Sequence, residues 1–344
     1  MPMHTSLRVE KRIELLYSIL IFTSWRNLGI CSDAHCYKDH MLNYFKPYSN
    51  HKAVRSCEKL IKSGFAFDAT HGLMMHLSEP PELEVIVPLS KYVIKRAGGI
   101  AAIMEFVNAL RIFYLDSNFE EFWNSHLQFY RRVEENARKY IKLEEIVRVL
   151  EEYFGLKKKE YHVVLLLLSK YSYGYEIDNS ITYAFISPTR IGSSGVPEYK
   201  SWDPVLHELS HSFINPITEE FSSDFKNPEA LLRPVKDKVK RVWDELLGSL
   251  SKELVEEAYK DWKSYINEHL VEAVKLKIAE QLGFMDPHKL RRAFSYYESR
   301  GFIYMKLVYN LLSRYDRSKY ASFRDFYPEI VSTLNNLTCN LNNR

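Results

Sequence analysis

Apolar positions recur at helical spacing over most of the chain. Residues 8 to 28 carry Val9, Ile13, Leu16, Ile19, Leu20 and Trp25 about one helical turn apart, and Gly29 follows as a stop. The same pattern predicts helices over residues 35 to 45, 51 to 63 and 66 to 77, with Pro80-Pro81 breaking the chain after the last. Leu83 to Leu89 reads as a short strand ended by Pro88. From Gly98 to Tyr153 the helical period returns in two or three long segments, whose mixed charges are read as solvated faces.

The period then shortens. Val163 to Leu168 is wholly apolar, which suits a strand buried on both faces, and Ile181 to Ser187 predicts a second strand ended by Pro188. The loop from Pro188 to Ser201 holds Gly192, Ser193, Ser194 and Gly195 and is expected to be mobile. A helix should start near Asp203 and stop at Asn215-Pro216. Beyond it the chain reads as helical to the end: a helix around Trp243, a long one from Lys252 to Leu282, a segment from Pro287 to Tyr315 and a terminal helix from Phe326 whose last residues fray. The fold class is therefore α+β and predominantly helical, with one small sheet.

Composition narrows the function classes. The 344 residues are 46% hydrophobic and 14% aromatic, enough for a large core. Forty-seven basic against 44 acidic residues leave a formal charge of +3 with no long basic tract, so nucleic acid is not an expected partner. Cys31, Cys36, Cys57 and Cys339 are too few for a disulfide scaffold. The apolar run from Ile13 to Trp25 is interrupted by Glu14 and Ser18 and falls short of the roughly 20 residues that span a bilayer. A soluble chain with no membrane partner, cytoplasmic by default, is the expectation.

The candidate chemistry lies at His207, Glu208, Leu209, Ser210 and His211, an HExxH sequence. On a helix, positions four apart share a face, so both imidazoles project together with Glu208 beside them. Two neutral imidazoles can hold a zinc ion that acidifies water, and the adjacent carboxylate can take the proton. One Zn2+ per chain is expected, bound by His207 and His211, with Glu208 as general base. A catalytic zinc needs a third protein ligand. The metzincin extension is excluded, because its Gly and third His positions are Ile214 and Ile217 here. Glu268, in the stretch from Ile266 to Val274, is the candidate third ligand, with His269 or Glu272 as replacements. Glu272 can alternatively orient a ligand imidazole.

His207 to His211 followed by Glu268 and Glu272 four apart resembles the gluzincins, zinc metallopeptidases in which HExxH precedes a helix carrying ExxxD or ExxxE. The second carboxylate is Glu where Asp is usual. The order RIELL, FDATHGLMMHL, HELSHSFINP, NEHLVEA and GFIY is also similar to a family of prokaryotic HExxH proteins known as a domain of unknown function, over residues 8 to about 330. The gluzincin likeness implies a zincin-like architecture, with a sheet and the active-site helix in an upper lobe, residues 1–216, and an all-helical lower lobe, residues 217–344, carrying the third ligand. It implies further that Thr182, Tyr183, Ala184 and Phe185 lie on an edge strand that pairs with a peptide. Tyr297, Tyr296 and His288 stand where such an enzyme would need a transition-state donor.

The leading expectation is thus a zinc-dependent peptidase acting on a peptide or protein substrate. Two others stay open: a non-catalytic helical binding protein whose HExxH is structural or degenerate, and a zinc amidohydrolase acting on a non-peptide substrate. Metal content and coordination separate the second from the other two, and substrate profiling separates the third from the first.

Overall fold

The computed structural model describes residues 4–31, 36–235 and 261–342. Its described residues form a predominantly helical chain with one small mixed sheet and divide into two compact units, Met1–Leu143 with Lys159–Glu208, and Glu144–Lys158 with Leu209–Arg344. The division falls after Glu208 instead of at residue 216, and it assigns residues 144–158 to the second unit.

The first unit contains strands β1 (His4–Arg8), β2 (Glu160–Leu165), β3 (Tyr173–Ile177) and β4 (Ile181–Ile186) in the order β1-β2-β4-β3. β1, β2 and β4 run parallel, and β3 pairs antiparallel with β4. The apolar β2 is buried along almost its whole length, as an interior parallel strand requires. Around the sheet come helices α1 (Lys11–Leu20), α2 (Trp25–Leu28), α3 (Cys36–Phe45), α4 (Lys52–Lys62), α5 (Asp68–Met75), α6 (Lys91–Arg96), α7 (Ile100–Asp116), α8 (Phe119–Ser125) and α9 (Leu127–Arg138). Helix α4 shows how sequence sets an element. The His51 side chain accepts from the Ala53 amide at 3.1 Å to cap it, and Ala53, Val54, Cys57, Leu60 and Ile61 form its single buried stripe.

Three expectations are corrected, and two strands are additional. Leu83 to Leu89 is no strand; it makes one isolated bridge between Val85 and Leu77. β1 and β3 were not anticipated. The 188–201 loop holds a short hairpin, β5 (Arg190–Ile191) with β6 (Pro197–Glu198). The HExxH helix, α11 (Asp203–Glu220), starts with Asp203 already in its first turn and runs through Pro216. The expected helix around Trp243 and the start of the one at Lys252 lie outside the described residues.

The second unit is helical: α10 (Leu143–Phe154), the later part of α11, and helices Trp262–Gln281, Pro287–Ser299, Met305–Leu312 and Phe323–Asn342. Phe154 stacks on Phe213 with centroids 4.6 Å apart and meets Phe323 edge-on at 5.2 Å. Such aromatic pairs add about 0.5–1.5 kcal/mol each beyond area burial. No described helix is long and apolar enough to cross a membrane.

One buried acid makes the first unit pH-sensitive. Glu14 is fully buried on α1 and accepts from the Tyr37 hydroxyl, which also meets the Tyr130 hydroxyl at 2.9 Å. Burial pushes its carboxyl up to about 8, against a smaller opposing effect of the Tyr37 bond. A folded pKa above the unfolded one means stability fully present below about 4.5 and lost as pH rises through about 8. Glu14→Gln carries no ionisation to suppress. Its unfolding free energy relative to wild type is expected to rise between those limits by on the order of 5 kcal/mol at most, read from urea titrations at the two ends.

Candidate functional site

Helix α11 buries Val205, Leu206, Leu209, Phe213 and Ile214, which fixes the opposite side of its turns at a half-exposed position. His207 and His211 occupy that position, and Glu208 beside them is 8% exposed. One ligand atom from each of His207, Glu208 and His211 lies within 4.8 Å of the other two. Helical spacing alone accounts for this convergence.

Two neighbours fix the orientation of His211. Its Nδ1 lies 3.2 Å from Asn215 Oδ1, one turn on, and with Nδ1–H donating there the Nε2 lone pair is left to face outward. Nε2 in turn lies 3.3 Å from Glu268 Oε1. Charge-assisted N–H···O bonds usually close to about 2.7–2.9 Å, whereas two ligand atoms each about 2.05 Å from a tetrahedral zinc stand about 3.3 Å apart.

Glu268 reaches His211 because its helix is pinned one residue earlier. The buried Thr218 hydroxyl donates to Asn267 Oδ1 at 2.5 Å and accepts from the Tyr327 hydroxyl at 2.6 Å. That network also explains why α11 continues past Pro216. Proline leaves the Ser212 carbonyl without its helical partner, but stopping there would strand the buried Thr218 and Ile217. The boundary rule for proline is overridden by tertiary bonds.

His269, the alternative ligand, is fully buried. Its Nδ1 donates to the Tyr265 carbonyl at 2.8 Å and its ring packs against Tyr265, Phe302 and Tyr304. Burial pushes its pKa down to about 4. Glu272, one turn beyond Glu268, accepts from the Tyr297 hydroxyl and pairs with Lys275 Nζ at 3.0 Å. The structure therefore brings Tyr297 to Glu272. Tyr296 and His288 instead line an open groove with Arg291, Arg292 and Ser295.

The edge-strand expectation is corrected. Thr182, Tyr183, Ala184 and Phe185 belong to β4, which pairs with β2 on one side and β3 on the other, so its backbone has no open edge to offer. Among the described strands β3 is the antiparallel one at the edge. It also approaches the chemistry: a Cβ on Gly174 would stand 2.8 Å from the Glu208 carbonyl oxygen and 3.3 Å from Glu208 Oε2. Only glycine lets strand and helix come so close. Gly174 and its neighbours were legible, since Tyr173, Tyr175 and Ile177 alternate with Gly174 and Glu176. Asn215 was too, four residues after His211.

Gly174→Ala forces an added methyl against backbone, which cannot rotate away. A stability loss of about 1–3 kcal/mol is expected, with any hydrolytic activity reduced through displacement of Glu208. Urea melts and kcat on one peptide check it; wild-type values for both would show the approach to be loose.

No curated protein and no solved structure matches the chain. One family model does, across residues 6–333, its description being Domain of unknown function (DUF4932). With nearly its whole length matched and the HExxH helix inside the match, the chain belongs to that domain-of-unknown-function family.

Proposed function

We propose that this chain is a zinc-dependent hydrolase of peptides, with His207, His211 and Glu268 as the metal-holding residues and Glu208 as general base. The observation that carries the reading is the 3.3 Å separation between His211 Nε2 and Glu268 Oε1, an acid brought from another helix to the tetrahedral-edge distance of an imidazole whose other nitrogen meets an amide oxygen. The donor set of two imidazoles and one carboxylate suits zinc and leaves a fourth position open. Zinc held there would supply a Lewis acid that acidifies water and polarises a carbonyl.

The chain's own residues do the rest. Glu208 takes the attacking water's proton at its carboxylate and returns it to the leaving amine. Asn215 holds the His211 ring in one tautomer. Tyr297, half-buried and bonded to Glu272, is the candidate donor to the developing oxyanion. Substrate selection falls to β3: no other described strand pairs with its outer side, and an extended peptide added there would pair main chain to main chain and pass Gly174, beside Glu208. Pairing of that kind grips peptides of varied sequence.

The test is digestion of a mixed peptide library by the purified chain, by the chain stripped with a chelator, and by the stripped chain resupplied with Zn2+. Cleavage in the first and third samples only is expected. Equal cleavage in all three, or none in any, sinks the proposal.

A further inference from the structure

A second group of metal-ligating side chains stands at the other edge of the sheet, on strands β1 and β2, which run parallel with His4 opposite Glu160 and Ser6 opposite His162. Side chains two apart on a strand share a face, so this register puts His4, Glu160 and His162 side by side. Glu160 Oε2 is the shared pole, 3.3 Å from His4 Nδ1 and 2.9 Å from His162 Nε2. One ligand atom from each residue lies within 4.8 Å of the others.

The surroundings of His162 are those of a positioned ligand. Its Nδ1 lies 2.7 Å from Ser6 Oγ, so an ion replacing the proton at Nε2 would leave Nδ1–H with that hydroxyl as its acceptor. Its ring stacks on Tyr183 of β4, centroids 4.9 Å apart and planes 27° apart, so it is held from two sides. Side-chain exposure rises from 11% at His162 through 37% at Glu160 to 66% at His4, which gives an ion a path in from solvent.

We propose that His4, Glu160 and His162 form a metal site for a first-row divalent cation, Zn2+ being the ion that two imidazoles and a carboxylate suit best. The three ligand atoms lie close enough together to converge on one small cation, and the carboxylate between the two rings supplies the negative charge that such an ion favours. Its consequence is mechanical. β1 is a five-residue edge strand, and a metal shared between β1 and β2 would fasten it to the sheet. The site is independent of the HExxH helix and does not rest on the function proposed for it.

The test is zinc content of the full chain after chelator stripping, dialysis against excess Zn2+ and desalting, for wild type, His4→Gln and Glu160→Gln. Each variant is expected to hold one zinc ion fewer per chain than wild type, whatever the HExxH helix holds. His4 is largely exposed, so its variant should fold, and circular dichroism checks both. Equal zinc in all three proteins overturns the site. Thermal melts give a second reading: added Zn2+ should raise the wild-type Tm by more than that of either variant, and equal shifts count against the proposal.

Discussion

Glu208→Gln is expected to lower kcat on a cleaved peptide by about 10²- to 10⁴-fold, the range that general acid–base groups supply, while metal content and KM stay near wild type. The substitution keeps the shape of a side chain that is 8% exposed and lies against Gly174, so the packing of strand on helix should survive. What it removes is a proton acceptor at Oε. In energy this is about 3–5 kcal/mol of transition-state stabilisation, at about 1.4 kcal/mol per tenfold. Two results would redirect the assignment. Retained activity would mean that the base is elsewhere, and parallel loss of metal would mean that Glu208 holds the site together without doing chemistry in it.

The HExxH helix was legible because everything it needs is local. Asp203 and Pro204 favour a helix start, the apolar stripe gives the buried side, and a spacing of four places the imidazoles together. The amphipathic helices α4, α7 and α9 were legible for the same reason: their faces repeat over whole turns. What failed was set by distant partners. β1 has five residues and no alternation strong enough to separate it from the helix that follows; its identity as a strand comes from pairing with β2, more than 150 residues away. Which strand lies at the edge depends on the order β1-β2-β4-β3, a property of the pairing that no single strand's composition carries. Pro216 failed as a stop because Thr218 is bonded to Asn267 and Tyr327, contacts invisible to a rule about neighbours in sequence. Glu268 was nominated by ligand chemistry and by resemblance to gluzincins; its periodicity would have left it on a solvated face.

Two adjacent residues on the Trp262–Gln281 helix allow metal binding and folding to be separated, and this gives the second large expected effect. Glu268→Gln is expected to reduce Zn2+ affinity by more than the roughly 10- to 100-fold typical of residues that only orient ligands, and to abolish hydrolysis at limiting zinc with partial recovery in excess. Stability of the metal-free chain should change by less than about 1 kcal/mol, because the Glu268 side chain is 41% exposed and a pair so exposed contributes little. Asn267→Ala, one residue earlier, should do the reverse at first reading. It strips a buried acceptor from the Thr218 hydroxyl, at a cost of about 1–3 kcal/mol, and lowers zinc affinity only as far as the helix loses its register against α11. Metal titration and urea melts on both variants check the separation. If Glu268→Gln bound zinc like wild type, the 3.3 Å approach to His211 would be an ordinary surface ion pair, and the third ligand would have to be sought elsewhere. If both variants lost stability alike, Glu268 would belong to the same packing network as Asn267, and its nearness to His211 would need no metal to explain it.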